Sequence, residues 1–229
     1  MTQVAEAMKF VWLPEQATQA FISTVKSCGN LQDSGVPELL SAMAAGWNAK
    51  MIVETWSHGC PTATSVGLAV AAAYNGGRHV CVVPDERSRL EYVKAVMAAV
   101  EGEIETNTEM IVEEVAEKAV GKLEGVDFLV VDSKRSNFAR VLKSAKLGQT
   151  GAVLTRKNVS VSASGFRWSS ILGKGNRVAR SVILPVGRGL DIAYIEGRSS
   201  RSKPETKDCR RRWITHVDQI SGEVHLFRG

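Results

Sequence analysis

The chain has 229 residues, of which 44% are hydrophobic and 23% are charged, and it carries a formal net charge of +5. These values are ordinary for a soluble globular protein, and the length suffices for one α/β domain with a sizeable core. No apolar run approaches the roughly 20 residues of a membrane-spanning helix, and residues 1–9 lack a secretion signal, so no membrane partner is expected.

The four cysteines are scattered, and no two of them form a C-x-x-C pair. This pattern disfavours a zinc site or a disulfide framework. Reduced thiols are the simpler interpretation, and they predict a protein of the cytoplasm or the nucleus.

The positive charge is concentrated in the C-terminal third. From Arg156 to Gly229 there are 15 Lys and Arg but 6 Asp and Glu, whereas the rest of the chain has an acidic excess. Such a segment could bind an acidic protein, nucleic acid or phosphate. A solvated basic segment is the alternative, and the lack of a nucleic-acid motif disfavours a nucleic-acid partner.

Two helices are predicted before the first strand. Pro14 suits the first turn of a helix that runs to about Cys28, and Pro37 opens a second helix from Glu38 to about Trp47. Both helices are expected to pack against the sheet that follows.

Five short apolar runs between Met51 and Asn158 are predicted as strands, because helical patterns separate them. The strands are Lys50–Glu54, His79–Val83, Met110–Val112, Asp127–Val131 and Ala152–Thr155. The helices are Ala63–Tyr74, Arg87–Val100, Val115–Leu123 and Ser136–Lys146. This alternation implies a parallel sheet covered on both faces, with ligands bound beyond the carboxyl ends of its strands.

After the fifth strand the pattern changes. Val178–Leu184 and Leu190–Ile195 are joined by a connection too short for a parallel crossover, so they should be antiparallel. Residues 198–212 are predicted to be mobile. Trp213–Val217 and Glu223–Phe227 alternate around a turn and predict a closing hairpin.

The chain shows no internal repeat and no separate second domain. We therefore predict one domain over residues 1–229, with N-terminal helices at 1–48, a Rossmann-like core at 49–196 and a basic segment with the hairpin at 197–229. The apolar Trp213 and Phe227 of the hairpin either form a contact between copies of the chain or cover its own core.

Five parallel strands followed by an antiparallel pair resemble class I methyltransferases, which bind S-adenosylmethionine. Four segments look like the small O-methyltransferases that act on caffeoyl-CoA: Met51–Leu68, His79–Lys94, Asp127–Asp132 and Thr155–Asn158. The resemblance implies an α/β, Rossmann-like fold with a seven-stranded, mostly parallel sheet, and S-adenosylmethionine as cofactor.

Nearly the whole chain also resembles a plant family of unknown function that is related to methyltransferases. Three runs carry this likeness, at Met43–Lys50, Val83–Val93 and Ser164–Trp168. It implies a fold but no reaction, and the methyl acceptor stays open.

The resemblance to methyltransferases implies a cofactor site at Glu54, Gly59, Asp85, Glu86 and Asp132. Glu54 would be the acidic residue at the end of the first strand, and Asp85 or Glu86 would bind the ribose hydroxyls. The alternative for Asp85 and Glu86 is a stabilising position at a helix N-terminus.

Trp56 departs from the methyltransferase pattern. It stands where these enzymes carry the first glycine of the loop, and Gly59 lies one place early. An indole there could fill the space that the methionine part of the cofactor needs, so the loop either binds a cofactor or is degenerate.

The metal site of the caffeoyl-CoA enzymes, two Asp and one Asn, is incomplete in this chain. Asp132 matches the first Asp and Asn158 the Asn, but Lys157 replaces the second Asp. A hard cation needs several oxygen ligands, and an ammonium repels it. We therefore expect no metal, and hypothesise that an ion pair between Asp132 and Lys157 could replace its charge.

Four basic residues are expected to cluster beside the cofactor cleft: Lys134, Arg135, Arg156 and Lys157. They either receive a phosphate or carboxylate of an anionic small molecule or form a rim paired with nearby acids.

His58, Asp132 and Lys157 are the candidates for a catalytic role, with His58 as a general base or simply an exposed loop residue. The predicted function is S-adenosylmethionine binding and metal-free methyl transfer by positioning. The alternative is a non-catalytic protein that binds an acidic partner through the basic C-terminal third.

Overall fold

A computed structural model describes residues 12–28, 35–99, 108–159, 166–173, 175–197, 213–217 and 224–228. The helices are α1 (Pro14–Cys28), α2 (Val36–Gly46), α3 (Ala63–Asn75), α4 (Glu86–Ala99), α5 (Ala116–Val120), α6 (Phe138–Ser144) and α7 (Trp168–Ile171). The strands are β1 (Met51–Thr55), β2 (Arg78–Val83), β3 (Thr108–Val112), β4 (Phe128–Asp132), β5 (Gly151–Lys157), β6 (Arg177–Leu184), β7 (Leu190–Glu196), β8 (Trp213–Val217) and β9 (Val224–Arg228).

Strands β1 to β7 form one sheet in the order β3-β2-β1-β4-β5-β7-β6. The first five strands are parallel, and β7 runs antiparallel to both β5 and β6. The predicted fold class, a seven-stranded and mostly parallel α/β sheet, is confirmed. This order brings the carboxyl ends of β1, β4 and β5 together at one edge, beside the start of β7.

The predicted hairpin is present as β8 and β9, which pair antiparallel in a sheet of their own. The segment 198–212, predicted to be mobile, lies outside the described residues. The assignment of residues 1–229 to one domain stays a prediction.

Helices cover both faces of the sheet, as predicted. On one face, buried residues of α1, α2 and α3 pack on Ile52, Phe128 and Val153. On the other face, α5, α6 and α7 pack on a second set that includes Val53 and Leu129. Successive strand residues point to opposite faces, which is why neighbours such as Ile52 and Val53 belong to different clusters.

Helix α3 owes its close packing to small residues. A Cβ atom at Gly67 would lie 2.7 Å from the carbonyl oxygen of Pro37. Glycine is thus required where α3 crosses α2, and the helix places the loop after β1 close to the sheet edge.

The structure differs from the sequence predictions mainly after β4. Strand β5 continues to Lys157 rather than ending at Thr155, because β7 pairs with it along its whole length. Helix α7 was not predicted, and α6 is shorter than expected. In α4, the apolar side chains of Leu90 and Met97 are 52% and 75% exposed.

Within the described residues, no helix combines the length and apolar character that crossing a membrane would require.

Candidate functional site

A cavity of about 540 Å³ opens beyond the carboxyl ends of β1, β4 and β5. Because β7 is antiparallel to these strands, its first residue and the turn before it reach the same edge. The lining residues come from α2 and from the segments after β1, β4 and β5 and before β7: Val36, Gly59, Cys60, Pro61, Thr64, Asp132, Lys134, Arg135, Lys157, Asn158, Gly187, Arg188, Gly189 and Leu190.

Gly59 and Asp132 are the predicted cofactor residues that line this cavity. Gly59 has a φ of +77°, and the space beside its α-carbon is open. Asp132 is 6% exposed. Its Oδ1 accepts a hydrogen bond from the N–H of Lys134, and its Oδ2 accepts one from Nδ2 of Asn158, both at 2.9 Å. The carboxylate is therefore held firmly with its remaining lone pairs available to a ligand.

Lys157 is the last residue of β5 and is 7% exposed. It stands in register with Asp132 of β4 and Leu190 of β7. Nevertheless, no carboxylate oxygen of the described residues lies within 4.0 Å of its Nζ. The hypothesis of an ion pair between Asp132 and Lys157 is therefore wrong. Oδ2 of Asp132 instead accepts a hydrogen bond from Asn158.

Arg156 was expected in the same basic cluster, but the structure separates it from the other three residues. It is buried in β5, and its guanidinium donates to Oδ2 of Asp191 through Nε at 3.1 Å and Nη2 at 2.5 Å. The guanidinium carbon lies 3.3 Å from the ring centroid of Phe166. Trp168 donates to the other oxygen of Asp191 at 2.8 Å. This cluster on the far side of β5 stabilises the fold.

Glu54 was predicted to bind the cofactor, but its side chain is 1% exposed and does not line the cavity. Its Oε1 lies 3.2 Å from Nε2 of His79 and accepts a hydrogen bond from the Tyr92 hydroxyl at 3.3 Å. Burial raises the pKa of Glu54, but the hydrogen bond and charge of His79 and the charge of Lys157 outweigh it and leave this pKa lowered. A cofactor role for Glu54 stays a prediction.

Trp56 directly follows β1, and its side chain is buried. Its ring packs edge-on against Tyr92 with a centroid distance of 5.4 Å, and its Nε1 donates to the carbonyl of Pro61 at 3.3 Å. A second hollow beside it, between the ends of β1 and β2 and residues 113–116, has a volume of only about 70 Å³.

Asp85 and Glu86, the predicted ribose residues, are exposed and line neither hollow. Oδ1 of Asp85 accepts a hydrogen bond from the N–H of Ser88 at 2.7 Å, which caps the start of α4. Glu86 pairs with Arg89 at 2.6 Å. These contacts match the helix-terminus interpretation, and the ribose role stays a prediction.

Replacing Asp85 with alanine is expected to lower the melting temperature at pH 7, because the Ser88 amide loses its acceptor. Hydrogen bonds from Ser88 lower the pKa of Asp85. Its stabilising effect is therefore present above the unfolded pKa of about 3.9 and is lost as the pH falls through the folded value. Melting curves from pH 7 to pH 3 should show the two proteins converging.

The control for this prediction is Glu86→Ala, which removes a neighbouring carboxylate that pairs with the side chain of Arg89 rather than with a backbone N–H of α4. A deficit of Asp85→Ala that stays constant with pH, or equals that of the control, would contradict the capping role.

His58 lies exposed on the loop after β1 and does not line the cavity. Its Nδ1 pairs with Glu91 of α4, and its Nε2 is 3.3 Å from Nη2 of Arg87. Glu91 also accepts the N–H of Gly59 at 3.1 Å. His58 thus ties the loop to α4, and its catalytic role stays a prediction.

The turn before β7 was predicted as the connection between two strands, but its place in the candidate site was not predicted. It carries Arg188, which lines the cavity, and Gly189, whose φ is +95°. A Cβ atom at Gly189 would lie 2.2 Å from the carbonyl oxygen of Val159. The pairing of β7 with β5 brings this turn to the edge where the parallel strands end, and the sequence prediction did not include that pairing.

The chain matches a family model described as a protein of unknown function, DUF1442, over residues 8–229. It belongs to that family. No curated protein matches the sequence. The restriction of the family to plants stays a prediction.

Several solved methyltransferases share the fold. A methyltransferase from Geobacter sulfurreducens is 18% identical, with a TM-score of 0.52 over 78% of this chain and 88% of its own. A methyltransferase from Podospora anserina bound to S-adenosylhomocysteine is 14% identical, with a TM-score of 0.52 over 81% and 89%. A candidate caffeoyl-CoA O-methyltransferase from Staphylococcus aureus is 15% identical, with a TM-score of 0.53 over 77% and 92%. At these identities the likeness establishes the fold, which is the Rossmann-like fold of class I methyltransferases.

Proposed function

We propose that this DUF1442 protein binds S-adenosylmethionine at the edge where β1, β4 and β5 end, and that it transfers the methyl group without a metal. The observation that supports this most is the cavity itself. It lies where α/β sheets bind ligands, and about 540 Å³ falls within the roughly 300–1,000 Å³ of small-molecule sites. The fold alone does not identify the function, because one fold hosts many functions. The proposal therefore rests on the residues and the size of this cavity.

The cavity offers groups that suit the methionine part of this ligand. Gly59 presents backbone without a side chain, so a ligand can approach closely. Asp132 is buried and carries a carboxylate that can accept hydrogen bonds from the ligand's ammonium group. Methyl transfer would then depend on holding an acceptor in line with the methyl group.

Metal independence is proposed from the donor groups. Oδ2 of Asp132 is already bonded to the amide of Asn158, and the ammonium of Lys157 lines the same cavity. A divalent ion would find few free oxygen ligands and a repelling charge there. Among the described residues, no three His, Cys, Asp or Glu side chains are grouped as metal ligands.

Binding of the nucleoside part of the ligand requires a conformational change of the protein. The nucleoside would lie toward β2, where the hollow beside Trp56 measures about 70 Å³, far below the size of a ligand site. We therefore propose that the loop from Trp56 to Pro61 moves when the ligand binds.

Isothermal titration calorimetry with S-adenosylmethionine and S-adenosylhomocysteine tests the proposal. Both compounds are expected to bind, and Asp132→Ala is expected to weaken binding about tenfold or more, because a hydrogen bond to a charged group is lost. Glu124→Ala, which changes an exposed carboxylate paired with Lys146 outside the cavity, should bind like the natural protein. Folded protein that gives no heat with millimolar ligand would contradict the proposal.

A non-catalytic protein on the same scaffold is the second candidate, and the buried Trp56 is the observation that favours it. In that case neither adenosyl compound binds. Its predicted acidic partner would meet the basic C-terminal third, of which residues 198–212 lie outside the described part. RNA titrations at several salt concentrations would reveal phosphate contacts by a steep salt dependence.

A further inference from the structure

The ammonium of Lys157 is the most unusual charge in the cavity. The side chain is more than nine-tenths buried, lines the hollow, and has no carboxylate within 4.0 Å among the described residues. Burying an unpaired charge is costly, and proteins normally pair such a group or coordinate it to a ligand. A ligand oxyanion would supply the missing partner.

The backbone around Lys157 fixes its position. The residue is held in register between β4 and β7, and its carbonyl accepts the N–H of Ser133 at 2.9 Å. Its charge acts on the buried carboxylate of Glu54, one of the causes that lower the pKa of that residue. Lys157 is therefore part of a rigid strand rather than a flexible surface chain, which suits a binding group.

Three more cationic side chains line the same cavity: Lys134, Arg135 and Arg188. In the described part of the chain, none of the three forms an ion pair with a carboxylate. The one carboxylate among the described lining residues is Asp132, which already accepts two hydrogen bonds. The hollow therefore has an excess of positive charge that a single carboxylate on a ligand would not neutralise.

We propose that this cavity binds an organic phosphate, with its phosphoryl oxygens at Lys157 and the guanidinium groups of Arg135 and Arg188. A phosphate monoester carries about −1.5 to −2 charges at pH 7 and pairs well with arginine. The cavity is larger than a phosphate group, and Val36, Pro61 and Leu190 provide apolar lining for the organic part. The phosphate site goes beyond the proposed function, because its lining cations do not depend on the adenosyl cofactor.

Calorimetric titration of the full chain with inorganic pyrophosphate, at constant ionic strength, tests the site. Lys157→Met is expected to weaken binding at least tenfold. Lys94→Met, which removes the same charge from the exposed surface of α4, should have no effect. Equal weakening by both variants would overturn the proposal, because it would indicate general charge attraction.

A second variant and a second ligand complete the test. Arg188→Gln changes an exposed turn residue, so it probes the site if Lys157→Met fails to fold, and about fivefold or greater weakening is expected. Succinate replaces pyrophosphate as a carboxylate probe, and binding as tight as that of pyrophosphate would overturn the choice of phosphate.

The two proposals fail separately. Pyrophosphate binding without any binding of S-adenosylhomocysteine would support the phosphate site and contradict the proposed function. Binding of S-adenosylhomocysteine without pyrophosphate binding would contradict only the phosphate site.

Discussion

Replacing Asp191 with asparagine is expected to lower the free energy of unfolding by about 3–5 kcal/mol, the usual cost of breaking a buried ion pair. Asp191 is 4% exposed and accepts hydrogen bonds from Arg156 and Trp168. The amide offers a single acceptor oxygen, so the buried guanidinium loses its counter-charge. Urea unfolding followed by circular dichroism measures the change.

The control for Asp191 is an exposed pair of the same kind. Glu86→Gln breaks the contact with Arg89 on α4, and such surface pairs contribute at most about 1 kcal/mol. If Asp191→Asn costs no more than this control, the cluster around Arg156 does not stabilise the fold as described.

Replacing Glu54 with glutamine is expected to lower the free energy of unfolding by about 3 kcal/mol at pH 7. The carboxylate is fully buried beside His79 and Tyr92, and the amide removes the charge that faces them. Glutamine keeps the size of the side chain, so the loss reports the charge rather than a cavity. Urea unfolding at a series of pH values measures it.

The loss of stability in Glu54→Gln is expected to depend on pH. Because the pKa of Glu54 is lowered in the folded state, its contribution is present above the unfolded pKa of about 4.3 and is lost as the pH falls through the folded value. The natural protein and Glu54→Gln should therefore converge in acid. Glu109→Gln, at an exposed pair with Arg78, is the control, and a Glu54→Gln deficit that does not change with pH would argue against an ionised Glu54.

Much of the sheet could be predicted, because the apolar runs of β1, β2 and β4 are buried on both sides and flanked by clear turn signals. The end of β5 could not be predicted in the same way. Arg156 and Lys157 suggest a loop by composition, yet both are buried, since β7 pairs with them and partners from distant segments surround Arg156.

The position of the candidate site could be predicted from the sequence, but the surroundings of its individual side chains could not. Parallel strands end at one edge, and Asp132 and Gly59 line the cavity there, while their cofactor role stays a prediction. Glu54 has the residue type of a cofactor ligand, but strand alternation puts it on the face of Ile52, among buried side chains. Whether Asp85 caps a helix or binds a ribose depends on free space beside it, and residue type does not encode that space.

We expect the hollow at the ends of β1, β4 and β5 to accept an adenosyl ligand. The decisive experiment is a crystal structure of the protein grown with saturating S-adenosylhomocysteine. The expected result is the amino-acid end of the ligand beside Asp132 and Gly59, with Trp56 displaced to admit the nucleoside. An unliganded cavity with Trp56 still packed against Tyr92 would contradict the claim.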